Sequence, residues 1–186
     1  MRDLETQMAE SIQGFHLPRY GELPAVGLYL EQVTSLINQL LAPLEDVTLT
    51  SSMISNYVKY RMIGRPTKRL YQREQVAELI FIAVAKNVLS LDNLKRALRI
   101  QRDNYEVAVA YDYFCEELEN LLAVVFGFKD QPDPVGKENT EQKRMLENLI
   151  TAVSHQVYLE MCIRDSYCTA SPGWFYWRQL STRGRR

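Results

Sequence analysis

LTSSMISNYVKYRMIGRPTKRLYQR, from Leu49 to Arg73, is the stretch on which the reading of this 186-residue chain turns. It holds six basic residues, Lys59, Arg61, Arg65, Lys68, Arg69 and Arg73, and no acidic one, in a chain of formal net charge −1. Thr50 is a helix N-cap residue, with a hydroxyl that can accept from a backbone N–H of the first turn. Ile54, Tyr57 and Val58 recur at i, i+3 and i+4 and give that helix a buried side. Ser51, Ser52, Ser55, Asn56 and Lys59 fall on its other faces. Gly64 and Pro66 then break the helix and shape a basic loop that ends at Tyr71. A short helix with small polar residues at its start, followed by a compact basic loop, has the form of a recognition helix and a wing.

Charge and composition set the frame for that stretch. The chain is 46% hydrophobic and 24% charged, as expected of a globular protein of one or two domains. No apolar run reaches the ~18 residues that suggest a membrane span. The first 14 residues are polar, are expected to fray, and lack a secretory signal pattern, so a cytoplasmic location is expected. Met161-Cys162-Ile163-Arg164-Asp165-Ser166 looks like the translation of a transposon-end sequence used in preparing sequencing libraries. Residues 161–186 are therefore read as a read-through artefact, the alternative being a real basic tail. Without them, residues 1–160 carry 17 basic and 22 acidic residues. The Leu49–Arg73 stretch is then one basic patch on an acidic body, suited to holding a polyanion. Cys115 is the one cysteine before the tail and has no partner for an internal bridge.

Outward from the basic stretch, the chain reads as helix. On its N-terminal side, Phe15–Pro24 is rich in proline and should form an extended arm, with Phe15, Leu17, Tyr20 and Leu23 packed on the body. Tyr29, Val33, Leu36, Ile37, Leu40 and Leu41 predict a helix over about Ala25–Leu41. On its C-terminal side, Val76, Leu79, Ile80, Ala83 and Val84 predict one over Gln72–Asn87. Ser90 can cap a short helix carrying Leu91, Leu94 and Leu98. Val107, Tyr111, Phe114, Leu118, Leu121 and Val125 are spaced 4, 3, 4, 3, 4, a seam for a partner helix within the chain or across a dimer. Residues 127–137 form a linker, and a last helix starts near Glu138. A short two-stranded ribbon is expected around Ile63 and Leu70. The fold expected is all-α, with an N-terminal unit over 15–102 and a helical unit over 103–160.

The chemistry of the basic stretch divides in two. Residues at the start of a helix in the major groove face base edges. Small side chains at Ser51, Ser52 and Ser55 allow close approach there, and Asn56 offers a bidentate amide contact to adenine. Arg65, Lys68 and Arg69 of the wing suit phosphate oxygens, which position a protein without reading sequence, and Lys59, at the end of the reading helix, and Arg73 complete the expected DNA-binding set. Tyr71 either packs under the wing or donates to a phosphate. Enzymatic readings find little support. His16 and His155 have no metal-ligand spacing with each other or with Cys115, so neither metal nor cofactor is expected. No phosphate loop and no nucleophile elbow is present. Glu116, Glu117 and Glu119 read as the solvated face of a helix.

Ile54-Ser55-Asn56-Tyr57-Val58-Lys59, followed by Met62-Ile63, Arg65-Pro66, Arg69, Tyr71 and Val76, resembles the DNA-binding domain of MerR-type regulators. Leu89-Ser90-Leu91 with Leu94 is similar to the helix that follows in that family. Those regulators usually carry glycine before the apolar pair, where this chain has Arg61. LPRYGELP, LYLEQV, LTSSMISNYVK and RPTKRLY, in that order, resemble an uncharacterised bacterial family, domain of unknown function 1836. The resemblance implies a MerR-like winged helix-turn-helix and a regulatory role. The expected function is sequence-specific binding of double-stranded DNA by a homodimer on a palindrome, with half-sites about one turn, ~10 bp, or a multiple apart. The alternative is a protein-interaction adaptor that oligomerises through its C-terminal helices. A small-molecule effector held by Tyr105, Tyr111, Tyr113, Phe114, Phe126 or Phe128 is a subsidiary expectation.

Overall fold

A computed structural model describes residues 12–136 and 140–168, with side chains to residue 164. Its α-helices are α1 (Leu30–Leu40), α2 (Ser51–Lys59), α3 (Arg73–Ala85), α4 (Leu91–Asn104), α5 (Val107–Val125) and α6 (Glu141–Cys168), with short 3-10 turns at Tyr20–Glu22 and Ala42–Leu44. Extended pairing among the described residues is confined to two isolated bridges, Leu28 with Tyr71 and Thr67 with Leu70. The fold is all-α at this level.

The molecule is built around α3. Gln75, Val76, Ala77 and all residues from Leu79 to Ala85 are buried, so this helix is enclosed rather than striped. The near-continuous run VAELIFIAVA is the reason, because a helix apolar on all sides must be surrounded. The predicted stripe left out Phe81 and Ile82, which face the remaining neighbours. Helices α1, α4, α5 and α6 all pack on α3, and α5 packs most extensively on α6. One core cluster runs from Ile12 and Leu17 through Ile80 and Phe114 to Val157 and Met161.

The arm packs on this body as expected, but it is not extended throughout: Tyr20–Glu22 form a turn of 3-10 helix, closed by the Glu22 N–H on the Arg19 carbonyl at 2.8 Å. Leu17 and Leu23 are buried. Its backbone is held by α5: Glu119 accepts from the Leu17 N–H at 2.9 Å, and Asp112 accepts from the Tyr20 N–H at 2.6 Å. Arg19 forks onto both carboxylate oxygens of Glu119 at 2.7 and 2.8 Å. The solvated-face reading therefore holds for Glu116 but not for its neighbours, since Glu117 is buried and Glu119 clamps the arm. Burial first, and then Glu147, hold the Glu117 carboxyl above its ordinary range.

Helix boundaries mark where tertiary contacts override periodicity. The helix predicted from Ala25 begins at Leu30, because Leu28 exchanges two backbone hydrogen bonds with Tyr71, at 2.9 and 2.8 Å. Helix α4 has 14 residues and is longer than expected; Ser90 does cap it, accepting from the Asn93 N–H at 3.3 Å. The seam on α5 is used within the chain. Tyr111, Phe114 and Leu118 are buried there, while Val107, Leu121 and Val125 are half-buried. Helix α6 runs through position 161 to Cys168, with Met161 buried and Arg164 paired with Glu45. The expectations for residues 1–11, for 137–139, where the linker was to end and the last helix to start, and for 169–186 lie outside the described residues.

Candidate nucleic-acid interface

Helix α2 is seated by α1. The Asn38 side-chain amide donates to the Leu49 carbonyl at 2.9 Å and accepts from the Leu49 N–H at 2.8 Å, fixing the approach to α2. Thr50 caps the helix as predicted, accepting from the Met53 N–H at 3.2 Å. Ile54 and Tyr57 are buried beneath it. Ser52, Ser55, Asn56 and Lys59 are exposed, and their spacing of i, i+3, i+4, i+7 puts them on one face. Ser51 departs from the prediction. It is half-buried with its hydroxyl 3.2 Å from that of Thr34, so it is occupied in holding α2 to α1.

The end of α2 has a full Schellman cap. The Arg61 N–H donates to the Val58 carbonyl at 3.1 Å, and the Met62 N–H donates to the Tyr57 carbonyl at 2.9 Å. The cap requires a left-handed residue at Arg61, whose φ is 54°. The same cap ends α5, where the chain supplies Gly127 at φ 77°. Met62 and Ile63 then plunge into the core, so Ile63 does not join the expected ribbon. The ribbon is a tight hairpin from Thr67 to Leu70, closed by two backbone hydrogen bonds at 3.1 and 2.9 Å. Its tip residues, Lys68 and Arg69, have φ of 50° and 67°. Both values belong to the left-handed hairpin turn that normally takes Asn-Gly or Asp-Gly.

Three cations thus occupy backbone positions that glycine adopts at less cost. A left-handed conformation costs a non-glycine residue roughly 1–2 kcal/mol, and glycine returns about 0.5–1 kcal/mol through the unfolded chain. Lys68→Gly and Arg69→Gly are each expected to stabilise the fold by about 0.5 kcal/mol, read by urea denaturation, while removing a charge from the tip.

The hairpin is anchored from three sides. Gln75 donates to the Gly64 carbonyl at 2.7 Å and accepts from the Gln72 N–H at 2.8 Å. From α4, Lys95 donates to the Tyr60 carbonyl at 2.9 Å, and Arg102 donates to the Met62 carbonyl at 2.6 Å while pairing with Glu78. On the third side the strand-like segment at Gly27 passes close beneath, where an added Cβ would lie 2.8 Å from the Leu70 Cβ and 2.9 Å from Gln72 Nε2. Gly27→Ala is expected to cost about 1–3 kcal/mol by overpacking and to speed amide exchange at Thr67 and Leu70.

Lys59, Arg61, Arg65, Lys68 and Arg69 are exposed, and none of them joins an ion pair among the described residues. Arg61 and Arg65, with Arg102, line an open dent of about 480 Å³ at the foot of the hairpin. Two predicted residues stand apart. Tyr71 is buried, and burial pushes its hydroxyl above its ordinary range, so it supports the hairpin from within. Arg73 turns toward the arm, 5.6 Å over the Tyr20 ring. Sequence reasoning missed Gly27, Asn38, Gln75, Lys95 and Arg102. Only Gln75 carried a local signal, as the acceptor three residues after the helix N-cap.

The chemistry this surface supports is recognition of a polyanion by shape and charge. Among the described residues, no group of three or more His, Cys, Asp or Glu is placed to hold a metal ion, and no helix is long and apolar enough to cross a membrane. Cys115 is buried, and burial pushes its thiol up to about 12, far from a nucleophile's range. Residues 18–114 match the family model described as Domain of unknown function (DUF1836). No curated protein and no solved structure matches the chain.

Proposed function

The chain belongs to the DUF1836 family, and we propose that it is a sequence-specific DNA-binding regulator with a MerR-like winged helix-turn-helix. In this reading α2 enters the major groove and the Thr67–Leu70 hairpin is the wing. Ser52, Ser55 and Asn56 meet base edges, and Lys59, Arg61, Arg65, Lys68 and Arg69 meet phosphates. The observation that carries the reading is the placement of exposed, unpaired cations on one helix-hairpin unit, three of them in left-handed backbone. Strain of this kind clusters where a side chain is needed. Exposure of Ser55 and Asn56 favours DNA over the adaptor reading, in which they would be covered by the C-terminal helices.

A homodimer on a palindromic site, in the cytoplasm and without catalysis, belongs to the same proposal. Its contact surface excludes Tyr111, Phe114 and Leu118, which are buried within the chain. The test is repeated selection from a random duplex library, followed by binding across a salt series. Enrichment of an inverted repeat, with affinity falling steeply as salt rises, is the expected outcome. A library that returns unenriched, or affinity indifferent to salt, overturns the proposal.

A further inference from the structure

A cleft of about 630 Å³ opens between α4, α5 and α6, with Phe81 of α3 at its floor. That volume lies within the roughly 300–1,000 Å³ typical of small-molecule pockets. Phe114 and Leu149 line its depth, and Ile100, Val109 and Met145 line its mouth. The last three are among the exposed large apolar side chains, at 36%, 61% and 42%. Apolar surface gathered in this way marks a binding site more often than bare surface.

The charges on the lining are one-sided. Among the described residues, Arg96 and Lys143 line the cleft and no Asp or Glu does. Lys143 is already engaged: its ammonium donates to the Val135 and Gly136 carbonyls at 2.5 and 3.4 Å and lies 3.7 Å from Glu147. Arg96 is exposed and joins no ion pair among the described residues. A guanidinium at the rim of an apolar cleft selects a ligand with an apolar body and a planar anionic head, which it can grip through two parallel hydrogen bonds.

We infer that the cleft binds an amphipathic carboxylate of the fatty-acid kind, its chain among Ile100, Phe114 and Leu149 and its head on Arg96. This assignment stands on the cleft alone and does not depend on the DNA reading. Calorimetric titration of the full chain with decanoate, decanol and decyltrimethylammonium tests it. Decanoate is expected to saturate at one site, roughly tenfold tighter than decanol, the size of one charge-assisted contact, and the ammonium compound is expected to give no saturable heat.

Arg96→Gln should reduce decanoate to the level of decanol, and Arg96→Lys should retain part of the difference. Ala152→Phe fills the mouth from an exposed helical position and should abolish binding of both, with the circular dichroism unchanged. Equal binding of decanoate and decanol in the native chain overturns the inference, as does no saturable heat from either. It is also overturned if sedimentation shows a dimer that Ala152→Phe dissociates and decanoate leaves intact, because a second copy then fills the cleft.

Discussion

Lys59→Ala, Arg65→Ala and Arg69→Ala, combined in one chain, are expected to weaken binding to the selected duplex by on the order of a thousandfold. Each change removes one charge-assisted contact to phosphate, and such contacts contribute about 1.5 kcal/mol or more apiece. The more diagnostic readout is the salt dependence. Three fewer neutralised phosphates reduce the slope of log affinity against log salt by about 2.7. Stability should hardly move, because these side chains are exposed and make no ion pair among the described residues. Asn56→Ala offers the contrast. It should leave the slope unchanged and flatten discrimination at one base position, since base contacts specify where phosphate contacts only position. Binding by fluorescence anisotropy over a salt series, for all three proteins, separates the two roles.

Glu119→Ala is expected to be the most destabilising single change outside the apolar core. It takes the carboxylate from the Arg19 guanidinium, which keeps only the Leu17 carbonyl at 3.1 Å, and orphans the Leu17 N–H. The sites are partly exposed, so the lower ends of the usual costs apply, and about 3 kcal/mol is expected. For a chain of this length that is roughly 6–12 °C in Tm. The arm should open to trypsin at Arg19 as it detaches. Burial pushes the Glu119 carboxyl up, but the Arg19 hydrogen bond, the Leu17 N–H and the nearby cations outweigh it, and the net shift is downward from the ordinary 4.5. A lowered folded value means that ionised Glu119 contributes stability above 4.5, and that this contribution is lost as pH falls through the folded value. The gap in stability between the native chain and Glu119→Ala should therefore be full at pH 7 and close in strong acid. Urea denaturation at several pH values reads it directly.

The helices were legible in the sequence because burial on one face leaves a period, and Thr50 and Ser90 declared their caps. What stayed hidden depends on partners far along the chain. The start of α1 was displaced because Leu28 pairs with Tyr71, a contact that no window around Leu28 contains. Glu119 looked like one of three solvated acids because its partner, Arg19, lies 100 residues away. The hairpin was misplaced toward Ile63 because its turn lacks the glycine that usually announces one. The exposed face of α2 was readable from spacing, yet Ser51 was lost from it to a hydroxyl on the neighbouring helix. Tyr71 and Arg73 belonged to the basic run by composition only, one serving the interior and the other the arm.

The three left-handed cations also give the family a diagnostic that needs no experiment on this chain. At positions 61, 68 and 69, backbone economy pulls toward glycine or asparagine, and retention of charge pulls the other way. In relatives where the surface has fallen out of use, nothing opposes the first pull, and these positions should drift to glycine before any core residue changes. In relatives that bind as proposed here, arginine or lysine should persist at all three. The set of residues found there across many genomes would then sort working regulators from relics, because each position carries its own running cost.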